Sequence, residues 1–168
     1  DLHQLIHQQA VIDCRTTSTP FGPPISLDSM QINIDVHQYL NPQFLDEFCY
    51  SLGKYLDLDP NYICINGGSA QATSTLLSRV LKPNHKKMIG ITPQYSHTIS
   101  EWIYYGGSYS AIPIIPSNSS EELIHNIQTE ILNQSPDVLF IDNPNNPTGF
   151  FFELCEIYEI LKTCQEKN

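Results

Sequence analysis

The spacing of apolar residues changes at about Tyr62. Before that point Phe44, Phe48, Leu52 and Tyr55 recur at helical spacing, which predicts an amphipathic helix that ends before Asp59-Pro60. After it, short apolar runs alternate with longer segments of helical periodicity. Strands that alternate with helices are typical of a parallel sheet with helices on its faces, so the pattern predicts an α/β protein.

The predicted elements give a three-layer α/β/α architecture with a mostly parallel sheet. Ser119-Ser-Glu-Glu122 has the form of a capping box at the start of one helix, whose Leu123, Ile127 and Ile131 recur every fourth residue. The strands are predicted at residues 63–65, 87–91, 109–115 and 138–141, and the other helices at residues 69–81, 95–105 and 152–164. Helical spacing predicts inward positions for Ala72, Leu76, Leu77 and Val80 in the first of these helices, and for Leu154, Ile157, Tyr158 and Leu161 in the last.

The first 42 residues show little periodicity. The run of Thr and Pro from Thr16 to Pro24 excludes a helix there, and Gly22 predicts a turn. We therefore expect residues 1–42 to form an N-terminal arm and linker, and residues 43–168 to form part of one larger domain.

Composition narrows the function classes. The 168 residues carry a net charge of −10 with two arginines, which argues against a nucleic-acid or anionic-membrane surface. The odd count of five cysteines, with no C-x-x-C pair, suits reduced thiols, and Cys64 is expected to be buried. No membrane-spanning run or secretory leader is visible, so a soluble cytoplasmic protein is expected. His3 and His7 lack a third ligand, so no metal site is predicted.

Three polar turns follow predicted strands. In Asn66-Gly-Gly-Ser-Ala-Gln71, free N–H groups at a helix start could bind an anion, although glycines are also common at such junctions for steric reasons. Pro93 ends the next strand and leaves Tyr95 to present an aromatic face. After the last strand, Asn143, Asn145 and Asn146 bring amide groups to the crevice where open α/β sheets bind ligands.

The segment Asn143-Pro-Asn-Asn-Pro-Thr-Gly149, placed after a hydrophobic strand, resembles the pyridoxal-phosphate (PLP) aminotransferases of class I/II. The resemblance is nearest to the histidinol-phosphate aminotransferase and threonine-phosphate decarboxylase branch, and it extends from about Val11 to the end of the chain. It implies the large domain of the PLP-dependent transferase fold in an incomplete form. The N-terminal arm resembles the family's arm as well, but Thr17 and Thr19 stand where asparagines are usual.

The resemblance implies a role for each matching residue. The phosphate of PLP would be held by Gly68, Ser69, Ala70 and Gln71, where Gln71 replaces a frequent acidic residue. Tyr95 would stack on the cofactor ring, and Asn146 would hydrogen-bond its phenolic oxygen. Tyr39 matches a tyrosine that reaches the cofactor phosphate of the neighbouring subunit; the alternative is a surface aromatic ahead of a helix.

The family's Schiff-base lysine, the acid that pairs with the pyridine nitrogen and the substrate-binding arginine all lie C-terminal to the Asn-Pro-Thr-Gly segment. None of the six lysines present matches the first role, so no catalytic residue is assigned. We expect the N-terminal half of an enzyme, with unpaired strand edges, as a homodimer or in complex with a chain that supplies the lysine half.

The resemblance implies transfer of an amino group between an amino acid and a 2-oxo acid. Two alternatives remain open from the sequence. A PLP-dependent amino acid decarboxylase of the same fold would use the same cofactor contacts, and a non-catalytic binding or assembly domain would keep the shape without the lysine.

Overall fold

The computed structural model describes residues 21, 22, 37, 39, 41–115 and 119–167. The chain divides into a unit of Asp1–Phe48 and a unit of Cys49–Asn168. Most of the predicted arm, including Thr17 and Thr19, lies outside the described residues. In the first unit the described part consists of Phe21, Gly22, His37, Tyr39 and residues 41–48.

Helix α1 spans Pro42–Leu56 and confirms the predicted amphipathic helix. Its apolar face is largely uncovered, since the side chains of Phe44, Phe48 and Tyr55 are 62%, 54% and 85% exposed. Asn41 precedes the helix, and its side-chain oxygen accepts a hydrogen bond from the Gln43 backbone N–H at 3.1 Å. The periodicity therefore predicted the helix correctly, while the partner for that face is absent from the described residues.

The strand predicted at residues 63–65 does not form. A 3-10 turn at Pro60–Tyr62 is followed by backbone that pairs with no described strand, and Ile65 is 42% exposed. The expectation of a buried Cys64 is wrong for the same reason, because its side chain is exposed. A three-residue apolar run becomes a strand only when another strand pairs with it.

Helix α2 begins at Ser69 and spans Ser69–Thr75, and Leu76–Leu81 continue it as a wider π-helical segment. The segment ends at Lys82, whose backbone N–H donates to the Leu77 carbonyl oxygen at 2.8 Å. The predicted helix at 69–81 is confirmed in extent. Of its predicted inner positions only Leu77 is buried, since Leu76 and Val80 are 48% and 66% exposed.

The remaining elements alternate between strand and helix as predicted. The three strands of the described residues are parallel in the order β2-β1-β3, with Met88 aligned with Tyr109 on one side and with Val138 on the other. The elements are β1 Lys87–Thr92, α3 Ser96–Tyr104, β2 Ser108–Pro113, α4 Ser120–Gln134, β3 Val138–Phe140 and α5 Leu154–Lys167.

Successive residues of the central strand β1 point to opposite faces of the sheet, and each face has its own core. Ile89 and Ile91 pack with buried residues of α4 and α5, including Ile127 and Ile160. Met88 packs on the other face with Leu77 of the π-helical segment and Trp102 of α3, and Trp102 Nε1 donates to the Ser108 carbonyl oxygen at 2.8 Å. These two layers of helices confirm the predicted α/β/α class.

Local sequence signals set the bounds and inner face of α4. The Ser119 hydroxyl accepts from the Glu122 backbone N–H, and the Glu122 carboxylate accepts from the Ser119 backbone N–H, each at 3.3 Å. This reciprocal pair is the predicted capping box. Leu123, Ile127 and Ile131 are 4%, 0% and 3% exposed, as their spacing predicted.

The edges of the described sheet are open. Within the described residues β2 and β3 pair only with β1, so the outer edge of each has no strand partner. In α5, Ile157 and Ile160 pack inward, but Leu154, Tyr158 and Leu161 are exposed where an inward position was predicted. Among the described residues, no helix is both long enough and apolar enough to cross a bilayer.

Candidate functional site

The carboxyl ends of β1 and β3 are tied together by two side chains. Asn145 Nδ2, from the loop after β3, donates to the Pro93 carbonyl oxygen at 3.0 Å. Gln94 Nε2, from the loop after β1, donates to the Phe140 carbonyl oxygen at 3.2 Å. Since β1 and β3 are parallel neighbours, these bonds place Tyr95 and Asn146 at the same end of the sheet, beyond the carboxyl ends of the strands.

Gly90 makes room for the Gln94 contact. A Cβ atom at position 90 would lie 2.8 Å from Gln94 Oε1 and 2.8 Å from the Phe140 carbonyl oxygen. The Tyr109 hydroxyl, from β2, reaches the same space, and its single proton is shared between Ile91 O at 3.3 Å and Gln94 Oε1 at 3.4 Å. Burial, followed by the nearby negative charge of Asp142, raises the pKa of Tyr109 above its ordinary value.

The three asparagines of residues 142–149 differ in what their side chains do. Asn143 binds the backbone of Phe152 through both its amide nitrogen, at 3.0 Å, and its oxygen, at 2.7 Å. Asn145 is 3% exposed and binds three other residues. The side chain of Asn146 is exposed and forms no hydrogen bond within the described residues. Two of the three amides thus hold the loop, and the third is left available.

Asp142 connects Asn145 with Asn146. Its Oδ1 accepts from Asn145 Nδ2 and its Oδ2 accepts from the Asn146 backbone N–H, both at 2.9 Å. The motif by itself assigned no role to Asp142. In turns, an Asp side chain often accepts hydrogen bonds from groups a few residues later in the chain. The position of Asp142, three residues before Asn145 and four before Asn146, was therefore the sequence signal that could have indicated its role.

Tyr95 stands directly before α3 in extended conformation, and its side chain does not cap the helix. Its ring is 53% exposed, so one aromatic face is available. The ring of His97 lies beside it, with centroids 6.2 Å apart. His97 Nε2 and Glu101 Oε2, one turn apart on α3, are buried without a hydrogen-bond partner among the described residues.

The turn at residues 67–71 has the features of an anion-binding helix start, with one competing contact. Gly68 has φ +93°, a conformation that favours glycine, and α2 begins without a side-chain cap, so its first N–H groups lack intrahelical partners. Gln71 instead turns back, and its Oε1 accepts from the Gly67 backbone N–H at 2.5 Å. Gly68, Ser69, Ala70 and Gln71 are all exposed.

The structure thus brings together two of the predicted site segments. Among the described residues no hydrogen bond joins residues 68–71 to Tyr95 or Asn146, so the convergence of all three turns stays a prediction. Tyr39 belongs to the Asp1–Phe48 unit, where its side chain is fully exposed. The Thr92-Pro93, Asn143-Pro144 and Asn146-Pro147 peptide bonds are cis.

Known proteins resemble this chain in sequence and in fold. A family model for aminotransferases of class I and II matches residues 25–168. The histidinol-phosphate aminotransferase of Listeria welshimeri is 25% identical over 152 residues, which cover 87% of this chain and 40% of that protein. The chain therefore spans about 40% of the length of that relative.

Two solved structures resemble the chain in fold. The histidinol-phosphate aminotransferase from Sinorhizobium meliloti, in complex with pyridoxal-5'-phosphate, superposes with a TM-score of 0.63 at 16% identity, over 78% of this chain and 34% of that one. The L-threonine-O-3-phosphate decarboxylase from Porphyromonas gingivalis gives 0.54 at 19% identity, over 70% and 34%. At these identities the likeness establishes the shared fold.

Proposed function

The chain belongs to the class I and II aminotransferase family, and on that premise we propose that it supplies the cofactor-facing edge of a PLP-dependent aminotransferase. The proposed reaction moves an amino group between an amino acid and a 2-oxo acid. When bound, PLP supplies the electron sink for bond breaking at the α-carbon of the amino acid. This chain's part is to bind and orient that group.

The observation that carries the proposal is the free side chain of Asn146. Its two neighbours in the motif, Asn143 and Asn145, use their amides to hold the loop, whereas Asn146 keeps its donor and its acceptor unused within the described residues. A polar group presented from an anchored loop is organised for a ligand before the ligand arrives. We assign this amide to the phenolic oxygen of the cofactor.

The other proposed contacts are made by Tyr95, the start of α2 and Tyr39. The exposed ring of Tyr95 offers a face for stacking on the cofactor ring, and the uncapped start of α2 offers N–H donors for its phosphate. For the phosphate to bind at Gly67, the Gln71 side chain would have to leave that N–H. We assign to Tyr39 a contact with the cofactor phosphate of a neighbouring subunit.

The proposed enzyme also needs a lysine-bearing segment, supplied by the same polypeptide or by a second one. Three features support this: the open outer edge of β3, the exposed apolar residues of α5, and a cavity of about 780 Å³ beside that strand. Apolar side chains from β3, α4 and α5 line the cavity, among them Leu139, Ile131 and Ile160. Polar side chains line it as well, including Asp137 and Lys167. An added strand would cover this surface.

The test is a calorimetric titration of the chain with pyridoxamine 5'-phosphate. This form of the cofactor has no aldehyde, so the six lysines of the chain cannot react with it and mimic binding. Replacing Asn146 with Ala removes one ligand hydrogen bond, and we expect affinity to fall about three- to tenfold. The matched control is Asn133→Ala, an exposed asparagine on α4, which should leave affinity unchanged.

Equal affinity of wild type and Asn146→Ala would contradict the role assigned to this residue. Adding the lysine-bearing segment and PLP tests the second half of the proposal, because covalent attachment should then produce an absorbance that borohydride abolishes. Because the six lysines of the chain can also react with PLP, this absorbance counts only where it exceeds that of the 168 residues alone. Turnover of an amino acid by the 168 residues alone would show that no further segment is needed.

A further inference from the structure

The loop after β3 contains a buried side chain whose hydrogen-bonding capacity is completely used. Asn145 Nδ2 donates to both Pro93 O and Asp142 Oδ1, at 3.0 and 2.9 Å. Its Oδ1 accepts from the Thr148 backbone N–H at 3.2 Å and from the Thr148 hydroxyl at 2.5 Å. An amide has two donors and two acceptor sites, so nothing remains for a ligand.

These contacts also determine the orientation of the Asn145 amide. Rotating it by 180° would bring its oxygen against Pro93 O and the Asp142 carboxylate, and would set its NH₂ group against the Thr148 N–H. The backbone of Asn145 is held as well, because its N–H donates to Phe150 O at 2.7 Å and its carbonyl oxygen accepts from Gly149 N at 2.8 Å. Asn145 is thus a fixed point in the loop.

Each of the two ligand-facing residues is attached to this fixed point. Asn146 follows directly in the chain, and its backbone N–H is bound by the second oxygen of Asp142. Tyr95 follows Pro93 and Gln94; Pro93 is bound by Asn145, and Gln94 is bound to the end of β3. A displacement of Asn145 or Asp142 would therefore move both groups together.

We infer that Asp142 and Asn145 are positioning residues: they set the placement of Asn146 and Tyr95 relative to each other in the ligand-free chain. Neither residue needs to touch the cofactor. The inference rests on the proposed function only in what Asn146 and Tyr95 are placed for, and the placement itself can be measured without a ligand. Asp142 and Asn145 then affect cofactor affinity indirectly, through Asn146 and Tyr95.

The first test is Asp142→Asn, which keeps the shape of the side chain but leaves one acceptor oxygen for two donors. Measured by NMR on the full chain without ligand, hydrogen exchange of the Asn146 amide should accelerate about five- to tenfold, and the ring signals of Tyr95 should shift. The matched control is Asp137→Asn. Asp137 Oδ2 accepts from Lys87 N at 2.8 Å, which is a bond of the same type at the amino-terminal ends of β1 and β3. Its loss should leave both signals unchanged.

The second test is a mutant cycle on the affinity for pyridoxamine 5'-phosphate. Asn145→Ala should weaken binding in the wild-type background and have little further effect when Asn146 and Tyr95 are already alanine, because it acts through them. An equal loss in both backgrounds would overturn the positioning role and indicate a direct contact.

The outcomes separate the two proposals. Unchanged exchange at Asn146 in Asp142→Asn overturns the positioning role whatever the affinity. Accelerated exchange in a chain that does not bind pyridoxamine 5'-phosphate supports the positioning role and overturns the proposed function. If Asn145→Ala does not fold, the isosteric Asp142→Asn variant in the same cycle gives the result.

Discussion

The loop at residues 142–149 and the turn at residues 67–71 are both proposed to contact the cofactor, but different kinds of hydrogen bond hold them in place. The loop follows a strand that is paired in the sheet, and its side chains bind Phe152, just after the loop, and Pro93, 52 residues before Asn145. The turn follows a segment that is not a strand, and its one side-chain contact, from Gln71 to Gly67, is local. The loop is therefore held by residues outside it, whereas the described contact of the turn lies within the turn.

The largest effect on stability is expected from substituting Gly90, which packs against the end of β3 just before the loop. Gly67, in the turn, is the glycine to compare it with. Gly90→Ala would place a Cβ 2.8 Å from backbone, at Phe140 O, and 2.8 Å from Gln94 Oε1. We expect the free energy of unfolding, measured by urea denaturation and circular dichroism, to fall by about 1–3 kcal/mol.

Gly67→Ala provides the contrast. The Cβ would also lie close to an atom, at 2.5 Å from Gln71 Oε1, but that atom ends a flexible side chain and can move away. A loss below about 0.5 kcal/mol is expected, as for most exposed positions. Equal losses in the two variants would show that the turn is held as firmly as the loop.

A smaller effect is expected from Thr148→Val, which keeps the side-chain shape and removes the hydroxyl. That hydroxyl donates to Asn145 Oδ1 and accepts from the Phe150 backbone N–H at 3.1 Å. Losing both bonds should cost about 1–2 kcal/mol. Thr75→Val, at an exposed position of α2, is the control, and a cost as small as the control's would show that the Thr148 hydroxyl does not stabilise the loop.

The smallest effect concerns pH. The raised pKa of Tyr109 means that the folded state holds the phenolic proton more tightly than the unfolded state. The resulting stabilisation is complete below the ordinary pKa of about 10 and is lost as pH rises through the higher folded value. Tyr109→Phe should flatten this alkaline decline and cost about 0.5–1 kcal/mol at neutral pH, because it removes a long hydrogen bond shared between two acceptors. An unchanged alkaline decline would assign it to other groups.

Local signals in the sequence were sufficient for much of the fold. The capping box and the Leu123, Ile127 and Ile131 stripe of α4 depend on residues three or four positions apart, so they were predictable. Short apolar runs between helical segments likewise located β1, β2 and β3 to within about two residues. The strand predicted at 63–65 failed because pairing depends on a neighbour that sequence periodicity does not reveal.

The sequence predicted the loop that carries Asn146, but not which of its asparagines hold the loop and which one is left free. The motif located the loop and Asn146, yet it presented Asn143, Asn145 and Asn146 as three equivalent amides. Asn145 is bound to Pro93, 52 residues earlier, and Asn143 is bound to Phe152, nine residues later. The first contact depends on the pairing of β1 with β3, so the structure is needed to separate the loop-holding asparagines from the free one.

The position of Trp102 determines what an optical experiment on this chain reports. It is the only tryptophan in the sequence, and it lies fully buried in the core that Leu77 and Met88 form on one face of the sheet. Its fluorescence therefore reports the unfolding of the layer of α2 and α3, whereas the layer of α4 and α5 contains no tryptophan to report its own unfolding. Fluorescence and circular dichroism curves that fail to coincide would reveal that the two layers melt as separate cooperative units.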